Sequence, residues 1–479
     1  MIITVVGDAF LDRDIEGNVE RVCPDAPAPV VDVTAERTRP GGAALAAVLA
    51  AAAAPAGSRV RLVAAFGDDA AAEELRASLE RGGVEVVAMV RKGPTIEKVR
   101  VRSAGQSVVR LDRGGRADRV EAPASTGDAL ADADAVLVAD YGAGSAAAAR
   151  RWLAGVPSRL PVVWDPHPEG ARPVTGAWLA TPSEREALAA SGLHEGPRLR
   201  QAEKAGRMLA RSWGVRAVAV TLGGGGAMLV EQDGPPLMVP TEPFPGDSCG
   251  AGDCLAATAT VALAGGALPS EALTVGVAAA SRFVAAGGAA RIGASDGVAR
   301  IGARPGPARI GASDGVARPG AARAGTGGGG EDAAALARRV RASGGTVVAT
   351  GGCFDLVHAG HVAVLEQARR LGDCLIVCLN SDASVTRLKG PGRPVQNESD
   401  RAAVLRALGA VDAVAVFDDD TAVRLLGALR PHLFVKGGDY ALGELPEARA
   451  MAAWGGQVVI LPYLGGRSTT ALLQRATRG

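Results

Sequence analysis

The sequence predicts an α/β protein built from two doubly wound units. Three observations predict it. Short apolar runs alternate with helical stretches along both halves, a Gly/Ala/Arg-rich duplicated stretch separates the halves, and 479 residues exceed one ordinary domain.

The first unit covers 1–289. Ile2–Val6, Arg61–Ala65, Ala135–Ala139, Val162–Trp164 and Ala217–Thr221 are apolar runs of strand length, and Ala43–Ala54, Ala70–Arg81 and Gln201–Trp213 read as helices between them. That alternation argues for a largely parallel sheet with crossover helices. Ile15–Val33 and Thr95–Leu111 instead alternate apolar and polar residues, which predicts a small half-exposed sheet able to act as a lid.

In the stretch 290–330, ARIGASDGVAR stands at Ala290–Arg300 and again at Ala308–Arg318. One duplication of this composition reads as a linker, because a solenoid needs more repeats and an apolar face. The second unit, 331–479, opens with an amphipathic helix at Glu331–Ser343. Strands at Val347–Thr350, Cys374–Leu379, Ala413–Phe417, Leu433–Val435 and Val458–Leu461 then alternate with helices at Gly360–Leu371, Glu398–Leu408, Thr421–Leu429 and Leu445–Ala453. Such a unit binds its ligand at the carboxyl ends of its strands.

Composition narrows the partners. The net charge is +1, so there is no broad basic field, and neither nucleic acid nor membrane surface is expected as a partner. The six cysteines include no C-x-x-C pair and read as reduced thiols. The opening MIITVVGDAF reads as a strand rather than a leader, and the apolar run Ala43–Ala56 is short of a membrane span. A cytoplasmic protein is expected. Only five of the 52 basic residues are lysines, Lys92, Lys98, Lys204, Lys389 and Lys436, so each lysine is a candidate for a compact point charge.

The sharpest motif is GGCFDLVHAGH, from Gly351. A strand runs into a turn and then a helix whose first N–H groups can receive a phosphate. Gly360 allows close backbone approach, and His358 and His361 lie one turn apart, able to face one anion. The alternatives are a helix cap with a packed histidine, or a zinc pair, for which no neighbouring Cys or His completes a tetrahedral set. Asp355 and Asp439, polar residues at strand ends, could orient a ligand or cap a turn. In the first unit, Gly250-Ala251-Gly252-Asp253 precedes the apolar run Cys254–Ala264. The turn leaves N–H groups for a transferring phosphoryl group, and Asp253 could accept a hydroxyl proton. A Gly-rich loop with an acid in the first helical turn is the plainer alternative. The Gly223–Gly226 run does not open a helix with a ribose-binding acid downstream, which disfavours a dinucleotide oxidoreductase.

Gly352-x-Phe354-Asp355-x-x-His358-x-Gly360-His361, Asn380-Ser381-Asp382, Lys389-Gly390-x-x-Arg393-Pro394-Val395, Arg401, Lys436-Gly437-Gly438-Asp439-Tyr440 and Ser468-Thr469-Thr470 together resemble the cytidylyltransferase-like nucleotidyltransferase superfamily, whose fold is Rossmann-like. Gly7-Asp8, Arg39-Pro40-Gly41-Gly42, Asp140-Tyr141, Asp165-Pro166, Thr221 with Gly223–Gly226, and the Gly250–Asp253 turn resemble the ribokinase family of carbohydrate kinases, a three-layer fold with a small β lid. Both halves look most like the bifunctional heptose 7-phosphate kinase/heptose 1-phosphate adenylyltransferases.

The resemblance implies ATP and a phosphorylated heptose as substrates, Mg²⁺, a monovalent cation in the kinase half, and a homodimer. It implies Asp253 as catalytic base and Gly250, Ala251 and Gly252 as anion hole. Thr221, Gly223 and Gly226 would lie beside ATP, Asp8, Gly41 and Gly42 beside the sugar, and Glu186 at the metal. In the second unit it implies His358, His361 and Lys389 as catalytic groups. Phe354, Asp355, Gly360, Arg393, Ser468 and Thr469 would lie at the nucleotide, with Lys436 and Asp439 at the substrate. The chain departs from the kinase pattern at Leu45 and Ser183, each in place of Asn, and at His167 in place of Lys. A transferase whose kinase-like half only binds or dimerises, and a cytidylyltransferase for another phosphorylated alcohol, stand as alternatives.

Overall fold

The computed structural model describes residues 1–104, 106–115, 119–241, 247–292, 332–437 and 446–462. The chain divides into two compact units, Met1–Gly302 and Ala303–Gly479. Most of the expected linker, 293–330, lies outside the described residues.

In the first unit, parallel strands run in the order Ala217–Thr221, Leu179–Ala180, Val162–Asp165, Ala135–Ala139, Ile2–Gly7, Arg59–Phe66 and Val84–Lys92. Helices cover this sheet, and its central strands are buried throughout, which is why they read as continuous apolar runs. The sequence reading missed the antiparallel strands Ala227–Glu231 and Leu237–Val239 at one edge and the helices Ser145–Leu153 and Pro269–Ala285. The edge strands are too short to show a period. The helix Ala43–Ala53 is apolar on every side, and its small side chains let Ala251–Ala264 lie close against it.

The lid stretches form a second sheet, in the order Pro29–Gly42, Ala9–Val22, Ile96–Ser103, Gln106–Arg113. Its strands are longer than the alternation suggested. Their register sets Arg39 and Lys98 on either side of Asp12, a row of charge at the mouth of the main sheet.

The second unit is an all-parallel sheet ordered Ala413–Phe417, Cys374–Asn380, Val347–Gly352, Leu433–Gly437, Gln457–Leu461. The chain reverses direction of winding beside Val347–Gly352, the place where such sheets open a crevice. The helix Ala333–Ala342 packs Leu336, Ala337 and Val340 into the same core as Ile376 and Phe434. The helix Asp382–Lys389, capped by Ser381, was not foreseen. No described helix is long and apolar enough to cross a membrane.

One glycine of the Gly223–Gly226 run is fixed by the fold itself. Gly226 has φ +95°, and a Cβ there would sit 2.0 Å from the Val239 carbonyl oxygen of the adjacent strand. Gly226→Ala should therefore destabilise the first unit by about 2–4 kcal/mol, read by urea denaturation. The unfolding of the second unit should not change.

Two candidate active sites

The first site forms where the helix Ala251–Ala264 begins. Gly250 takes φ +81° to turn the chain into it, and a Cβ at Gly250 would lie 2.8 Å from Leu45 Cδ2. Leu45, aligned with a sugar-binding amide by the resemblance, is thus a core residue packed beneath the turn. The Ala251 N–H is engaged, donating to the Ser248 carbonyl at 3.0 Å. Gly252 has open space on its Cβ side, and the Cys254 N–H is engaged, donating to the Gly250 carbonyl at 2.9 Å; of the expected anion hole, Gly252 is the residue with room beside it.

Asp253 is 7 % exposed. Its Oδ1 accepts a hydrogen bond from the Tyr141 hydroxyl at 2.7 Å. Burial pushes its carboxyl up to about 7; the Tyr141 hydroxyl and Lys98 pull the other way, and Asp12 adds to the rise. A carboxylate tuned to neutrality is suited to take a proton at physiological pH. Burial, with Asp253 next, also holds Asp165 well above the usual carboxylate range.

Asp8, expected at the sugar, is turned elsewhere. Its carboxylate accepts from the backbone N–H groups of Tyr141 (3.0 Å), Ala143 (2.9 Å) and Ser145 (2.9 Å), which tie down the start of the helix Ser145–Leu153. Gly41 and Gly42 are required by packing: a Cβ would meet the Phe10 ring at 2.4 Å and 2.3 Å respectively. The acid that does face this turn is Asp12, whose Oδ2 lies 2.8 Å from the Cβ position of Gly41. Asp12 pairs with Arg39 (2.8 Å) and Arg100 (2.6 Å). Lys98 stacks over the Phe10 ring at 3.4 Å and lies 5.3 Å from the Tyr141 ring. Sequence reasoning missed Asp12, Lys98 and Tyr141 as site residues; the signal available was the scarcity of lysine.

Glu186 and Ser183 form a capping box for the helix Glu184–Ser191, Glu186 Oε2 accepting from the Ser183 N–H at 2.8 Å. Ser183 therefore does a cap's work in place of Asn. Thr221 bridges to Ser183 at the strand end, and Gly223 has open space beside it, whereas Gly226 serves strand packing. His167, in place of Lys, lies with its ring 6.5 Å from that of Tyr141.

The second site lies at the end of Val347–Gly352. His358 caps the helix Ala359–Arg369: its Nδ1 accepts from Gly360 N–H at 3.1 Å, and His361 Nδ1 accepts from His358 N–H at 3.3 Å. The rings stack at 3.9 Å. Both readings of the pair therefore hold together. Because each Nδ1 is an acceptor, each ring carries its proton on Nε2, and that of His358 is buried. Burial, then His358 and Lys389, lower the His361 pKa to about 4, so the donor is neutral imidazole. Lys389 Nζ lies 2.9 Å from Cys353 Sγ and brings the local positive charge. Phe354 and Leu356 both take left-handed φ, +44° and +52°, a strain typical of functional loops.

Five of the residues expected at a ligand have partners within the chain. The Phe354 ring is buried against His361. Asp355 is 0 % exposed, accepting from Val395 N–H (3.0 Å), Gln396 N–H (3.2 Å) and Arg393 Nε (2.9 Å); it fastens a loop, and Arg393 is its ion-pair partner. Lys436 pairs with the buried Glu447 at 3.0 Å. Gly360 gives its N–H to the cap. Asp439, Ser468 and Thr469 lie outside the described residues.

Residues 3–294 match the pfkB family of carbohydrate kinases, and residues 349–470 match the cytidylyltransferase-like family. The bifunctional protein HldE of Streptomyces coelicolor is 52% identical over 479 residues, covering 100% of this chain and 97% of that protein. The HldE of Azorhizobium caulinodans is 40% identical over 99% of this chain and 98% of its own. The chain belongs to the HldE family of bifunctional proteins. Among solved structures, a ribokinase from Thermotoga maritima is 24% identical, covering 63% of this chain and 99% of its own, with a TM-score of 0.48.

The chain is thus a carbohydrate kinase fused to a nucleotidyltransferase, chemistries that call for a divalent metal. Among the described residues no cluster of three or more His, Cys, Asp or Glu forms a ready cage.

Asp253→Asn should lower sugar phosphorylation by about 10²–10⁴-fold while pyrophosphate release by the other half persists. The same change should raise stability. An acid whose folded pKa is raised favours the fold fully below its unfolded pKa and loses that contribution as pH rises through about 7. The melting temperature of Asp253→Asn should therefore exceed that of the parent at alkaline pH, and the gap should close as the pH approaches the ordinary carboxylate range. By histidine NMR, His361 should titrate near 4, well below a free imidazole.

Proposed function

We propose that the first unit phosphorylates the anomeric hydroxyl of heptose 7-phosphate with ATP, and that the second transfers AMP from ATP to heptose 1-phosphate. In the first reaction Asp253 removes the hydroxyl proton as the sugar oxygen attacks the γ-phosphorus and ADP leaves. The Gly252 N–H, at the helix start, faces the negative charge on the phosphoryl oxygens. In the second, a sugar phosphate oxygen attacks the α-phosphorus and pyrophosphate leaves. No covalent enzyme intermediate is needed. The Nε2–H groups of His358 and His361, with the Lys389 ammonium, hold the phosphates in line.

Mg²⁺ is the metal in this reading. When bound it neutralises phosphate charge, and Glu186, with one carboxylate oxygen on its helix cap, is the residue that would hold it in the kinase half. Both reactions draw on ATP, which suits a cytoplasmic enzyme. A homodimer joined through the small sheet is supported by the exposed Val108, Val109 and Leu111 of its outer strand.

The observation that carries the reading is the pairing of a buried, near-neutral acid at a glycine-opened helix start with a second glycine-assisted helix start capped by two stacked histidines. Product analysis with heptose 7-phosphate, ATP and Mg²⁺ tests it. The kinase product carries two phosphates and the transferase substrate one, so a phosphatase must act between the steps. The expected result is heptose 1,7-bisphosphate with this protein alone, and a nucleoside-diphosphate heptose once a phosphatase is added. Pyrophosphate release with CTP but not ATP would overturn the adenylyl assignment.

A further inference from the structure

Asp253 is the one buried acid at the kinase helix start whose oxygen receives a side-chain hydroxyl. Tyr141 supplies it, from the loop that follows the strand Ala135–Ala139. The phenol is held on three sides. Its ring meets the edge of Phe10 at 5.2 Å and 87°, Lys98 Nζ lies 5.3 Å from its centroid, and its own N–H is fastened to Asp8 Oδ2 at 3.0 Å. Asp8, buried and bound to the N–H groups of Ala143 and Ser145 as well, fixes the loop that carries the phenol. A short chain of contacts therefore runs from the end of the first strand, through Asp8 and Tyr141, to the catalytic carboxylate.

We infer that Tyr141 is a positioning residue for the kinase reaction: its hydroxyl holds Oδ1 of Asp253, turning Oδ2 toward the sugar hydroxyl and favouring the ionised carboxylate. This rests on the kinase reading above. A phenol O–H can donate to a carboxylate and gains most when that carboxylate is charged. The effect opposes the burial of Asp253. The other charged and titratable groups around Asp253 are Lys98 and Asp12 from the small sheet, Asp165 from the neighbouring strand end, and Cys249 and Cys254 on its own segment. Of these only Lys98 also favours the ionised acid, and it stands over Phe10 rather than on the carboxylate. Tyr141 itself stays protonated, since burial, then Asp253, raises its pKa well above that of a free phenol. It is thus a fixed donor and not a second base.

The test is the pH profile of ADP release in the full chain. Tyr141→Phe keeps the ring against Phe10 and removes only the hydroxyl. The acid limb of kcat/KM should move up by about one pH unit, giving roughly tenfold less activity on the acid side and recovery to within about twofold at alkaline pH. Pyrophosphate release from the other unit serves as the internal control and should not change. A uniform loss at every pH, or an unmoved limb, would overturn the inference.

A second measurement keeps the phenol and alters its strength. The chain holds three tyrosines, and Tyr440 and Tyr463 belong to the other unit. Replacing all tyrosine with 3-fluorotyrosine makes the Tyr141 hydroxyl a stronger donor and should move the limb down, opposite to Tyr141→Phe. Movement in the same direction in both proteins would overturn it. An unsubstituted protein that releases no ADP at any pH would instead sink the kinase reading, which separates the two failures.

Discussion

The kinase half depends on a carboxylate kept dry at the mouth of a helix. Asp253 sits in the first turn of Ala251–Ala264, where the helix dipole favours its negative charge, yet it is buried enough that its carboxyl rises to about 7. Burial outweighs the effects that favour the charge and leaves the acid poised near neutrality, and the rest of the unit is arranged to keep it so. Ala-rich packing between Ala43–Ala53 and Ala251–Ala264 brings the helix start down onto the sheet. Leu45 and Phe283 fill the space under Gly250, so water cannot enter from behind.

The second unit solves a related problem with different groups. In the proposed reaction it meets phosphate charge with a neutral donor, because burial and the stacked His358 ring lower the His361 pKa to about 4. The orientation of both rings comes from the backbone, each Nδ1 being fixed by an N–H of the cap. A fixed dipole costs no reorganisation when charge moves. The Lys389 ammonium, one of five lysines among 52 basic residues, adds a compact point charge beside the two rings.

Much of this was legible beforehand. The parallel cores of both units were readable because doubly buried strands show up as apolar runs, and the helix starts at Gly250 and His358 were readable because glycine and a capping side chain mark them. The short antiparallel edge at Ala227–Glu231 and Leu237–Val239 was not, since its strands have too few residues to show a period. Nor was Asp12: its place beside Arg39 and Lys98 is a matter of register between strands distant in sequence. Tyr141 was visible only as part of a family pattern, because nothing local to Asp140-Tyr141 says that a hydroxyl will reach Asp253 across 112 residues.

The misassigned acids share a cause. Asp8 and Asp355 each follow the first strand of their unit, where a sheet's carboxyl edge meets its ligand crevice; Asp8 was expected at the sugar, and Asp355 at the nucleotide or as a turn cap. In both cases the carboxylate is buried and satisfied by the chain: three backbone N–H groups at Asp8, two N–H groups and the Arg393 guanidinium at Asp355. Loops crossing a strand end have no ladder partner for their N–H groups, and a charged acceptor at the strand terminus is the strongest one within reach. Arg401 does the complementary work for carbonyls. Fully buried, it donates to the carbonyl oxygens of Cys353 (2.6 Å), Asn380 (2.9 Å) and Gln396 (3.0 Å) and to Asp382 (2.6 Å). An acid immediately after the first strand is therefore better read as the fastener of the crevice than as its reagent. Asp8 in this way holds the loop that carries Tyr141, and Asp355 the segment Arg393–Gln396.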